Sequence, residues 1–222
     1  MRWCLILLLA QATALVSGRA LPRPRRAALG KSRPAAPAAA AVARGGGGGG
    51  GGLVGAAAPL WGVLGVTAML LNAVKRLAPV AAEPFAAGAA PLSAARWALY
   101  VGFAASMAYA EGYKAFHLKF SPMVVARSLT LRDGHGGAVG KALAPAYAMG
   151  LFHATKKRRA TSWGFLVGVA CLVRVVKKLA YPARAIVDGG VVAGLSVGSA
   201  SIAYHYVRAL GGVPPPADAA LP

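Results

Sequence analysis

The chain has 222 residues, with 25 Lys and Arg against 5 Asp and Glu, 57% hydrophobic residues and 14% charged ones. That is too apolar for a disordered basic tail and too poor in charge for an ordinary soluble domain, where about 25% is usual. A formal charge of +20 alone would point to nucleic acid. Here the cations cluster between apolar blocks, as in loops beside membrane spans, so the expected partner is a lipid bilayer and not nucleic acid. Two cysteines, Cys4 and Cys171, exclude a disulfide framework and a cysteine-based metal site.

Residues 1–18 read as a signal peptide. Arg2 supplies the positive start, Trp3 to Val16 a largely apolar core of 14 residues, and Ser17, Gly18 and Ala20 the small residues of a cleavage site. The core is short for a membrane helix, which needs about 17–25 residues; an uncleaved anchor is the alternative. Residues 19–52 then carry Arg19, Arg23, Arg25, Arg26, Lys31, Arg33 and Arg44 among alanines and prolines, and no acid precedes Glu83. This is transit-peptide composition. A signal peptide followed directly by such a stretch resembles the bipartite plastid presequences of algae with secondary plastids; a secretory protein with an Ala/Pro linker is the other reading. Eight glycines, Gly45 to Gly52, close the segment as a flexible tether. Beyond them remain 17 Lys and Arg against 5 acids, or +12.

Residues 53–210 are expected to form an all-α, polytopic membrane domain. Leu53 to Val74 is 22 residues without a charge, closed by Lys75 and Arg76, and long enough to span a hydrocarbon core of about 30 Å. Leu77 to Pro91 reads as an Ala/Pro-rich connector. Further spans are expected at Leu92–Ala110, with Arg96 snorkelling at one end, at Thr161–Val176 with Arg174, and at Ile186–Tyr206. The block Ala138–Ala154 holds Lys141, Pro145 and His153, and either spans or is re-entrant. The expectation is therefore a bundle of about 4–5 helices, with residues 211–222 as a disordered tail. Gly190, Gly194 and Gly198, like Gly164 and Gly168, recur every four residues and so share helix faces where backbones approach closely. They mark packing inside one subunit or the seam of a homo-oligomer, with Ser196 and Ser199 available for interhelical hydrogen bonds.

Three polar stretches carry the candidate functional residues. Glu111 ends an apolar span, with Lys114, three residues on, and Arg96 as candidate partners. Lys119 follows, and Ser121-Pro122 reads as a helix start. The helix it opens, bearing Arg127 and Arg132, is expected to lie in the membrane interface with its cations toward the headgroups. The second stretch holds His153 and the run Lys156, Lys157, Arg158 and Arg159, either a phosphate-binding patch or a topology determinant. The third opens the last span with Asp188, four residues from Arg184 and placed to pair with it.

The three stretches resemble a little-characterised family of small polytopic membrane proteins of cyanobacteria and plastid-bearing algae. The similar residues are Glu111-Gly112-Tyr113, Lys119-Phe120-Ser121-Pro122 and Arg127, then Phe152-His153-Ala154-Thr155-Lys156-Lys157-Arg158, then Asp188-Gly189. The similarity covers about Arg96 to Arg208. It implies a plastid setting, thylakoid or inner envelope, and brings no activity with it.

No catalytic constellation stands out. His117, His135, His153 and His205 show no i, i+3 or i+4 pair for a helical metal site, and no phosphate loop or nucleophile elbow occurs. Asp133-Gly134-His135-Gly136-Gly137 reads as a glycine-rich turn. The expectation is a non-enzymatic integral plastid protein without cofactor or metal, an assembly factor or small subunit with a membrane-protein partner or a second copy of itself. The alternative is a small solute or ion transporter using Glu111, His153, Asp188 and Arg174. A lipid enzyme using Asp133 and His135 is a third class.

Overall fold

A computed structural model describes residues 53–219 and Leu221; the signal- and transit-peptide expectations for residues 1–52 lie outside the described residues. The elements are α1 (Leu53–Ala81), a 3-10 turn (Glu83–Phe85), α2 (Ala94–Met107), a π-helical segment (Ala108–Phe120), α3 (Ser121–Thr130), α4 (Gly137–Ala142), α5 (Ala144–Ala148), α6 (Lys156–Val176) and α7 (Ala183–Leu210). Among the described residues three helices are long and apolar enough to cross a membrane: Ala57–Ala81 of α1, α6 and α7.

Two of the expected spans change shape. Ala138–Ala154 forms no single crossing helix, because α4 and α5 break at Leu143 (φ −99°, ψ 37°) and an irregular loop follows. The second span does not stop at Ala110. Ser93 caps α2, its Oγ accepting from the Arg96 N–H at 3.4 Å, and the chain stays helical through the π segment to Thr130. Ser121 is thus no N-cap; its φ and ψ are helical. The π segment ends where Pro122 enters, and this has a physical cause. A proline inside an α-helix lacks the N–H for its bond and drives its ring into the carbonyl four residues back, here Leu118; a widened turn relieves both. α1 runs on through Lys75, Arg76 and Pro79 to Ala81, past the expected end at Val74.

Contacts fix the directions of the helices. Val63 and Val66 near the start of α1 share a core with Ile202 and Tyr206 near the end of α7, so these helices are antiparallel. The Tyr100 hydroxyl donates to the Ala81 carbonyl at the far end of α1, at 2.8 Å, and its ring covers Gly189 near the start of α7. α2, the π segment and α3 therefore run alongside α7 in its own direction. α6 returns against them, with its start beside Met149 and Leu151 and its end, at Leu172 and Val176, beside Phe103 and Ile186.

The glycines at four-residue spacing in α7 do their packing inside the chain. A Cβ on Gly190 would lie 2.4 Å from the Phe103 ring, and one on Gly198 2.7 Å from Phe116. At Gly194 the neighbours are the Met107 carbonyl and the Glu111 Cβ, both 3.3 Å away. In a bilayer, lipid tails are as apolar as leucine, so close backbone approach and interhelical packing hold such helices together more than burial from water does. The Ser199 hydroxyl donates to Leu195 O in its own helix and makes no interhelical bond among the described residues, and Ser196 is exposed. Around Gly164 in α6, by contrast, the space is open.

Residues 211–219, expected as a disordered tail, fold back on the body. Val213 N–H donates to Arg208 O, and Ala217 packs against the core of α1, α3 and α7.

Candidate functional site

α3 is the most deeply buried short helix. Ser121, Val124, Val125, Arg127 and Ser128 are all fully buried, which corrects the expectation of an interfacial helix with cations toward headgroups. Arg127 points inward and finds its partners in backbone. Its Nε–H donates to Tyr147 O at 2.8 Å, and its Nη2 to Phe152 O at 3.1 Å and His153 O at 2.9 Å. Nη1 reaches the folded-back tail at Ala219 O, 2.7 Å away. The guanidinium lies over the Tyr147 ring, 4.5 Å from its centroid, and the Tyr147 hydroxyl hydrogen-bonds Thr130, which donates in turn to Arg127 O.

An arginine is suited to this position because its rigid fork carries five donors that diverge in one plane. Burial pushes the guanidinium down from the ordinary arginine value, with Tyr147 opposing, yet an arginine stays charged in a protein. Carbonyl dipoles and an aromatic face therefore do the work of solvent. The loop it gathers is held from the other side too. Ser162 Oγ donates to Met149 O at 2.8 Å and Trp163 Nε1 to Leu151 O at 3.0 Å. His153 accepts a left-handed backbone (φ 45°), which turns its carbonyl toward Arg127 and leaves its ring exposed. Arg158 lies beside Gly150, whose added Cβ would be 3.1 Å from its Nε.

A second cluster joins the π segment to α7. His117 Nδ1 and Ser201 Oγ are 2.7 Å apart, and His205 Nε2 lies 3.0 Å from His117 O. A carbonyl only accepts, so His205 carries its proton on Nε2. The two rings stand 4.8 Å apart although the residues are 88 positions distant in sequence. Tyr109, Tyr113 and His117 stack in a column along the π segment, with the Lys114 ammonium 4.7 Å above Tyr109. Among the described residues no three His, Cys, Asp or Glu side chains converge as a metal site.

The expected site residues are thus spread over three levels. Arg127, the His153 backbone and Arg158 meet at one end. Glu111 lies at mid-height beside Gly194, half-buried, and forms no ion pair with Lys114 or Arg96 among the described residues. Asp188 sits at the opposite end, buried, with Arg184 Nε 3.6 Å from its Oδ2 as the four-residue spacing predicts. Lys119, Lys156 and Lys157 are exposed, as is Arg174. Of the four groups of the transporter reading, His153 stands at one end, Glu111 at mid-height, and Asp188 and Arg174 toward the other end. Asp133 and His135 are exposed in a turn whose Gly134, Gly136 and Gly137 all have positive φ, as the glycine-rich sequence predicts. His117, Ser201, His205 and Tyr147 were not expected as partners, and no local spacing signals them. The chain matches no family model, no curated protein and no solved structure.

Proposed function

We propose that the chain is a four-crossing integral membrane protein of a plastid, acting without catalysis as an assembly factor or small subunit of a membrane complex. α6 carries this reading. It is apolar over 21 residues, yet only 11% of its spanning window is buried inside the chain, against 61% for α7. Val167, Val173 and Val175 face outward, and α6 is tied to the body chiefly near its two ends. A helix so apolar and so little packed belongs in lipid or against another membrane helix. α1, α6 and α7 supply three crossings and residues 94–120 the fourth. The plastid setting rests on the resemblance and on the composition of residues 1–52.

Alkaline carbonate extraction, combined with fluorescence localisation of the full chain and of a version lacking residues 1–52, tests this. The full chain is expected to reach the plastid and stay in the membrane pellet, while the truncated one goes elsewhere. Release by carbonate would sink the integral reading, and a cell-surface location would sink the plastid one.

Topology gives a second expected result. In a Cys4→Ser/Cys171→Ser background, cysteines placed at Lys141 and Lys157 should react with an impermeant maleimide from one face, and one at Lys177 from the other. Five crossings would instead group Lys141 with Lys177.

A further inference from the structure

Glu111 occupies an unusual place. It faces Gly194, the twelfth of 28 residues in α7, and lines a small notch with Ala115, Phe116, Phe120 and Phe165, the last being the tenth of 21 residues in α6. In the four-crossing reading, on which this inference rests, both neighbours lie near the bilayer midplane. A carboxylate there is costly and normally answered by a cation or a polar partner. Among the described residues, Glu111 has no hydrogen bond and no ion pair. Lys114, the nearest cation in sequence, sits over Tyr109 instead. The notch opens beside α6, whose Gly164 has nothing within 4 Å of an added Cβ.

We propose that this notch is the centre of a groove between α6 and the π segment that seats a transmembrane helix of another protein, which brings one basic side chain to Glu111. Charge complementarity selects this occupant. The notch offers a single carboxylate among Ala115, Phe116, Phe120 and Phe165, and a Lys or Arg on a partner helix would both neutralise it and complete the packing on α6. A second copy presenting α6 fits less well, since the cations of that helix stand toward its ends: Arg159 lies six residues before Phe165 and Arg174 nine after it, roughly 9 and 14 Å along the helix at 1.5 Å per residue.

The test uses the purified chain in lipid nanodiscs with a fluorescent Leu/Ala helix carrying one mid-span Lys, and the same helix with Leu at that position. Energy transfer should show the Lys helix binding about tenfold more tightly, the size of one interhelical polar contact. Glu111→Gln should abolish the preference, Glu111→Asp should retain most of it, and Gly164→Leu should weaken both helices. Equal binding of the two helices overturns the proposal, as does a preference that survives in Glu111→Gln. Glu111-dependent transfer between two labelled copies, displacing the Lys helix, assigns the groove to a homo-oligomer and overturns it as well. Carbonate release of the native protein would defeat the four-crossing reading itself; failure of helix binding in carbonate-resistant protein defeats only the docking.

Discussion

Replacing Arg127 with methionine is expected to lower stability by about 2–4 kcal/mol, despite methionine's similar length and greater ease in an apolar interior. The substitution relieves a desolvated charge, which by itself is favourable. Against that, carbonyls of Tyr147, Phe152, His153 and Ala219 lose a charged donor. Bonds to charged groups are worth roughly 1.5–3 kcal/mol each, and only part of that returns when water reaches the loop. Arg127→Lys should fall between the two, since a compact ammonium on a flexible stem lacks the planar fork that reaches three separate segments at once. Denaturant unfolding in mild detergent measures the loss. Trypsin supplies a local readout, because the freed loop runs into Lys156, Lys157, Arg158 and Arg159, where nicking should quicken. A methionine variant with unchanged midpoint and unchanged nicking would show that the loop holds itself.

The second large effect concerns glycines that look alike in sequence. Gly190→Ala and Gly198→Ala place a Cβ 2.4 Å and 2.7 Å from Phe103 and Phe116, so helices must part or rings must leave their rotamers. Overpacking of this kind costs about 1–3 kcal/mol. Gly164→Ala meets nothing within 4 Å and removes a helix-weakening glycine, so it should be neutral or stabilising by up to about 1 kcal/mol. Unfolding by titration with a denaturing detergent separates the cases; equal shifts for Gly164→Ala and Gly190→Ala would refute the assignment of the α7 glycines to packing within the subunit.

These two sites also show what a sequence can and cannot display. The long apolar helices were legible because length and charge-free runs are what a hydrocarbon layer selects. The Arg184–Asp188 approach and the shared face of Gly190, Gly194 and Gly198 were legible because helical spacing is local. Arg127 was not. Amid Met123, Val124 and Val125 it resembled a snorkelling cation, since nothing near it in sequence indicates that the carbonyls surrounding it come from 20 to 92 residues away. His117 and His205 were hidden for the same reason, being neighbours only through the parallel run of the π segment and α7. The π segment itself escaped notice because hydropathy records which residues are present, not how tightly the backbone winds.

The reach of Arg127 to Ala219 also sets an order of assembly. During synthesis the arginine emerges 92 residues before the Ala219 carbonyl that it bonds. Its bonds to Tyr147, Phe152 and His153 need only residues within 26 positions of it, made before α6 and α7. Only when the tail swings back does the charge receive its final shell. Residues 211–219 therefore close over a helix made well before them, and a chain cut ahead of Ala219 is expected to leave Arg127 more open to water.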